Sequence, residues 1–186
     1  MKRLVLIAGL MAAFLLVVVA ASAQKTSFAG AWGLDKGKSQ GLSQRMQGAD
    51  KVTWNITQDD KTISIDQKVE GGQPPAGGGG GGMGGGGGMG GGGGRGPAAP
   101  AAYNLDGSES TMEMGPAKST LKATWSGATL ELSRKTSFTA PDGTERTSSE
   151  TRKLSLSGDG KTLTAVVHSE GGRGGPMDST LVFNKQ

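Results

Sequence analysis

The 186-residue chain has no cysteine, a single histidine, His168, and few aromatic residues: three Trp, four Phe and one Tyr. Without cysteine there is neither a disulfide to staple the fold nor a thiol to carry a lipid anchor, so stability has to come from a buried core. His168 has no adjacent carboxylate in sequence and reads as a surface residue near a strand end. The chain also lacks a nucleophile elbow and any metal-ligand spacing. Its long glycine run lacks the Lys-Ser/Thr ending and following helix of a phosphate loop. Neither catalysis nor a resident cofactor is expected. An excess of one charge is missing too. Of 20 basic residues two, Lys2 and Arg3, stand at the extreme N-terminus, leaving 18 against 16 acidic ones. That balance gives no electrostatic case for nucleic acid or an anionic membrane as main partner.

Lys2 and Arg3 precede an apolar run from Leu4 to Ala20, followed by Ala21, Ser22, Ala23 and Gln24. This is the pattern of a secretory signal peptide with a small-residue cleavage site, so residues 1–23 are expected to be removed and the protein to be periplasmic or secreted. An apolar core of about 17 residues is at the short end of what spans a bilayer, and no membrane span is expected after cleavage. Residues 24–186 then form one domain. It is interrupted at 71–100 by a stretch that is nearly all Gly, Ala and Pro, with Gln73, Met83, Met89 and Arg95, whose composition cannot bury enough apolar surface to offset chain entropy. That insertion is expected to be disordered. The remainder, about 130 residues, suits one core.

Period-two alternation dominates the remainder. Val52, Trp54 and Ile56 alternate with Thr53, Asn55 and Thr57; Ile63, Ile65 and Val69 with Ser64, Asp66 and Lys68; Leu121, Ala123 and Trp125 with Lys122 and Thr124; Leu163, Ala165 and Val167 with Thr164 and Val166. Turn-forming residues separate the runs at Gln58-Asp59-Asp60-Lys61, Asp106-Gly107, Ser126-Gly127, Pro141-Asp142-Gly143 and Gly158-Asp159-Gly160. Ten strands follow, near 28–34, 50–58, 61–70, 101–106, 110–114, 118–126, 128–140, 144–157, 161–169 and 178–185, with almost no helix. The expected fold is all-β, a single antiparallel up-and-down meander barrel of about 8–10 strands. An internal echo supports the meander. Asp60-Lys-Thr-Ile-Ser-Ile and Glu70-Gly-Gly return 100 residues later as Gly160-Lys-Thr-Leu-Thr-Ala and Glu170-Gly-Gly, by duplication or because similar hairpins select similar residues.

Phe28-Ala29-Gly30-Ala31-Trp32 matches the Gly-x-Trp opening of lipocalins and fatty-acid-binding proteins, and Thr180-Leu181-Val182-Phe183-Asn184-Lys185 resembles the closing strand of the latter. The chain is most similar to the small secreted lipocalin-like domains of bacteria. In those, a Phe-x-Gly-x-Trp-x-Leu strand is followed by Asp and Lys-Ser, here Asp35 and Lys38-Ser39. The resemblance implies a calycin barrel in which Trp32 packs across one end beneath a basic side chain, Lys185 or Arg152. Two departures limit it. The Arg and Tyr with which fatty-acid-binding proteins hold a carboxylate are replaced by Leu181 and Phe183, and Lys36 to Asp50 lacks the apolar periodicity of their helical lid.

The charged residues on the long hairpin are the main candidates for a site. On the eighth expected strand and the one before it, Arg134 falls on the face of Leu130 and Leu132. A three-residue Pro141-Asp142-Gly143 loop would set Arg134 opposite Glu150 and Leu132 opposite Arg152. One reading makes Arg134, Glu150, Arg152 and Arg146 the polar anchor of a cavity walled by Trp54, Trp125, Leu130, Met112 and Met114, suited to a small apolar or anionic-amphiphilic ligand. The other lets these strand ends overshoot the barrel, leaving a solvated ion pair, a filled interior and a structural or interaction module of the cell envelope with a flexible Gly-rich tether. Three lesser patterns carry little. Met83, Met89, Met46 and Met177 are too scattered for a copper site. Arg95 and Arg173 sit in RGG-like segments without interleaved aromatics. Glu113, Glu131 and Glu150 show no spacing that pairs an acid with a base.

Overall fold

The computed structural model describes residues 26–71, 100–140, 143–171 and 175–186. The expected signal segment, the interior of the Gly-rich stretch with Met83, Met89 and Arg95, and Arg173 lie outside the described residues. Ten strands are present: β1 Gly30–Leu34, β2 Lys51–Gln58, β3 Thr62–Glu70, β4 Ala102–Asn104, β5 Ser110–Met114, β6 Ala117–Ser126, β7 Thr129–Thr139, β8 Glu145–Leu156, β9 Thr162–Glu170 and β10 Met177–Lys185. They form one antiparallel sheet in the order β4-β3-β2-β1-β10-β9-β8-β7-β6-β5. Every neighbour is sequential except where β1 pairs with β10, so the meander has rolled up and joined its first strand to its last. The two free edges, β4 and β5, meet where Ser110 Oγ donates to the Ala102 carbonyl over 2.8 Å. The result is a nearly closed up-and-down barrel.

Alternation decides which side chains enter it. On β6, Ala117, Ser119, Leu121 and Ala123 are buried while Lys118, Lys122 and Thr124 are exposed. The same period brings in Leu130 and Leu132 from β7, Leu154 from β8, Leu163 and Ala165 from β9, and Leu181 and Phe183 from β10. One end is plugged. Phe28, fully buried just before β1, stacks on Trp125 at 6.0 Å and accepts a 2.8 Å hydrogen bond at its carbonyl from Trp32 Nε1. Full burial of side chains of this size stabilises by about 1.5–3 kcal/mol each, so this plug and the apolar layer above it carry much of the fold.

The Gly-x-Trp pair has a local reason. Gly30 sits at φ 135°, a conformation that a residue with a Cβ rarely adopts, and this bend aims Trp32 inward directly opposite Trp54. Of the two cations expected over Trp32, Lys185 takes the place, its Nζ 5.5 Å from the ring; Arg152 lies over Trp54 instead.

At the other end, the region between β1 and β2 holds one element that the sequence pattern missed. Ser43 caps a five-residue helix, α1 (Gln44–Gly48), by accepting from the Met46 amide, and Leu42 and Met46 pack against the core. A five-residue helix is too short to show periodicity. Among the described residues no helix is long and apolar enough to cross a membrane.

The internal echo is structural as well. β3 and β9 each run nine residues from Thr to Glu, leave a turn organised by Asp59 or Asp159, and end at Gly71 or Gly171 with φ near 70–76°. At Gly171 a Cβ would collide with the Thr147 carbonyl, so glycine is required there.

Candidate functional site

The expected hairpin register holds. Ala140 donates to Thr144 across the loop at 2.8 Å, Arg134 stands opposite Glu150, and Leu132 stands opposite Arg152. Since Leu132 and Leu130 are buried, all three charged residues share the inward face of β7 and β8.

There they form a polar layer above the apolar plug. Arg152 Nε lies 2.7 Å from Glu150 Oε1, and both side chains are largely buried, at 12% and 17% exposure. This is not the solvated pair of the alternative reading. The contact is ionic more than directional, because the Nε–H has no aligned hydrogen-bond acceptor. The Arg152 guanidinium also sits 5.4 Å above the Trp54 ring. Three strands, β9, β10 and β1, separate β8 from β2 in the sheet, so this cation–π contact reaches across the barrel interior. Trp54 is fixed in turn by a 2.8 Å hydrogen bond from its Nε1 to Gln67 Oε1 and by Phe183, its ring 4.3 Å away.

Burial works against the charge on Arg152, but Glu150 and Tyr103 outweigh it and the net shift is upward, so the group stays cationic. Tyr103, buried on β4, has its hydroxyl pushed up by desolvation; Glu150 adds to that shift, while Arg152 and Arg134 oppose it. Nothing in the sequence pattern marks Tyr103 as a member of this layer. Its signal was a lone aromatic in a short strand beside the Gly-rich stretch.

Arg134 is placed differently. Its Nε donates to Ser119 Oγ over 3.3 Å, and Ser119 Oγ shares a 2.9 Å hydrogen bond with Thr136 Oγ1. No carboxylate among the described residues forms an ion pair with it. The layer thus holds two guanidiniums and one carboxylate, and the carboxylate is engaged by Arg152. Ser119, only 1% exposed, is the one buried polar residue of the core among the described residues and sits directly opposite Met112 on β5. Met112 and Met114 line the neighbouring wall half-buried, beside Phe138 on β7.

The expected cavity is not assembled as one chamber. Trp125 and Leu130 face each other at the plugged end, four residues along β7 from Arg134, about 13 Å at the rise of a strand. Trp54 lies under Arg152, not beside open space. Arg146 is exposed at the outer end of β8, away from the layer. Two depressions, of about 350 and 380 Å³, are present, and neither is that chamber. The first follows the outer face of β6–β8, lined by the outward Thr120, Lys122, Ser133, Lys135, Ser149 and Thr151, with Glu109 and the strand segments at Arg134 and Glu150 completing it. The second lies by the turns at Ala128 and Gly158.

The remaining candidates disperse. Glu131 faces outward 3.6 Å from Lys153, Glu113 stands opposite Lys118, and only Glu150 is inside, so no acid and base meet. Met46 lies on α1 and Met177 on the exposed rim of β10. His168 is a surface residue as expected, yet it does have carboxylates: Asp178 on the next strand and Glu170 on its own.

Comparison of the chain with known protein families, characterised proteins and solved structures finds no match. The geometry therefore carries the functional argument alone.

Proposed function

We propose that this is an exported, non-catalytic, lipocalin-like barrel that takes the anionic group of a small amphiphile in the polar layer at its open end. The observation that supports this reading is the charge imbalance: Glu150 is committed to Arg152, and among the described residues Arg134 has the hydroxyl pair Ser119–Thr136 and no carboxylate. A half-buried guanidinium beside hydroxyl groups is matched to a carboxylate, sulfate or phosphate monoester, with which it makes short charge-assisted hydrogen bonds. The half-buried Met112, Met114 and Phe138 nearby offer apolar contact for an attached chain. The ligand is not enclosed in the lumen, because Arg152 and Trp54 meet across it and the plugged end is filled.

A second reading, a structural or interaction module of the cell envelope, is favoured by that same filling: Phe28, Trp32, Trp54, Leu130, Leu154, Leu163 and Phe183 are all buried to 1% or less. Native mass spectrometry of the purified protein with dodecyl phosphate separates the two. The binding reading expects a one-to-one adduct that disappears in Arg134→Ala. No adduct, or one that survives that substitution, leaves the structural module in its place.

A further inference from the structure

His168 lies on the outer face of the barrel, on the opposite side of β9 from the polar layer, and plays no part in the proposed binding. Its ring is held from both sides. Nδ1 lies 2.6 Å from Asp178 Oδ1 on β10, and Nε2 lies 3.1 Å from Glu170 Oε1 two residues along β9. A neutral imidazole has one N–H and one lone pair, so one of these carboxylates would face an acceptor; only the imidazolium donates to both. The arrangement itself demands a proton.

The geometry points to a proton-operated clamp, in which charged His168 ties Glu170 and Asp178 together and holds the loop end of the β9–β10 hairpin in place, and loss of the proton releases one carboxylate and loosens it. The location gives the clamp something to act on. β9 ends at Glu170 and β10 begins at Met177, with Gly171 and Gly175 beyond them at positive φ, and the inward row in the same place is Glu150–Ser169–Met177. On that inner side Ser169 Oγ donates to the Met177 carbonyl across the hairpin at 3.5 Å. The hairpin end is therefore the wall beside Glu150, and its stiffness bears on the mouth of the barrel.

Other charges do not mask the clamp. From β8, Thr151 faces His168, flanked by Ser149 and Lys153, and Lys153 is turned to Glu131. From β10 comes Asp178 with Thr180 beyond it; on β9 the outward neighbours are Val166 and Glu170. The two carboxylates raise the histidine above its ordinary 6.5, Asp178 contributing most. A raised folded value means that the clamp is fully formed below the ordinary value and is lost as pH rises through the raised one.

The chain has one histidine, so its ring protons titrate in the NMR spectrum without ambiguity. The expected midpoint lies above 6.5 and falls in both Asp178→Asn and Glu170→Gln. Amide exchange of Val166–Glu170 and Met177–Thr180, corrected for intrinsic base catalysis, is expected to speed up about threefold or more across that midpoint as the hairpin end begins to open locally. In the Asp178→Asn/Glu170→Gln double variant this step should vanish. A midpoint at or below 6.5, or corrected exchange that stays flat through the titration, overturns the clamp. Because the readout lies outside the polar layer and uses no ligand, it stands or falls independently of Arg134.

Discussion

Replacing Glu150 by Gln removes the single carboxylate of the interior layer while keeping its shape. Arg152 then has only the Trp54 ring for its charge, and the largely buried guanidinium is left without a counter-ion in a layer that also holds the half-buried Arg134. Removing one partner of a fully buried pair costs about 3–5 kcal/mol. Exposure of 12% and 17% at the two side chains lowers that to about 2–4 kcal/mol here, since water still reaches them. For a domain of this size the midpoint of thermal unfolding should fall by roughly 10 °C. The converse substitution, Arg152→Met, should cost less, about 1–2 kcal/mol, because Arg134 lies opposite Glu150 in register and takes over the pairing. Combining the two removes the pair altogether, and the double variant should recover about 1–3 kcal/mol relative to the sum of the single ones. Urea unfolding followed by Trp fluorescence measures all three. A loss below about 1 kcal/mol in Glu150→Gln, or strict additivity in the double variant, would refute the picture of Glu150 as the counter-ion that compensates the buried Arg152 charge.

Other outcomes follow from the same fold. Trp32→Ala, which removes a fully buried ring and the hydrogen bond to the Phe28 carbonyl, should cost about 3–5 kcal/mol in the same unfolding assay. Gly171→Ala should lose more than about 1 kcal/mol, because it combines positive φ with a collision at the Thr147 carbonyl; Gly158→Ala, with open space around it, should stay within about half of that. Asp59 and Asp159 accept turn hydrogen bonds that hold their carboxyls below the ordinary 3.8. Their contribution is present above that value and lost as pH falls through the lowered folded ones, so Asp59→Asn should flatten the acid limb of a stability-versus-pH curve.

Strand number, strand faces and the β7–β8 register were legible because alternation and turn chemistry are local. Leu130 and Leu132 fix a face, the Pro141-Asp142-Gly143 loop fixes an offset, and Arg134 and Glu150 follow. Contacts across the interior were not legible, because they depend on how far the sheet rolls. Nothing local tells Arg152 on β8 to choose Trp54 on β2, and the choice of Lys185 for Trp32 is settled only when β1 meets β10. Tyr103 is hidden for the same reason: its partners Arg152, Glu150 and Arg134 come from strands far along the chain. Trp125 and Leu130 were assigned to the wall of the site from their hydrophobicity alone, whereas their height in the barrel puts them in the plug. Of the carboxylates of His168, Glu170 is two residues along the same strand, whereas Asp178 needed the β9–β10 register, which a glycine-rich connection leaves open in sequence.

The most direct test of a cationic open end above a filled barrel is the Arg134 Nε–H resonance of the whole protein during titration with dodecyl sulfate. The account predicts a saturable shift of that proton together with the Ser119 amide, with Lys122 and Lys135 on the outer face unmoved. A response confined to Lys122 and Lys135, or no response at Arg134, would contradict it.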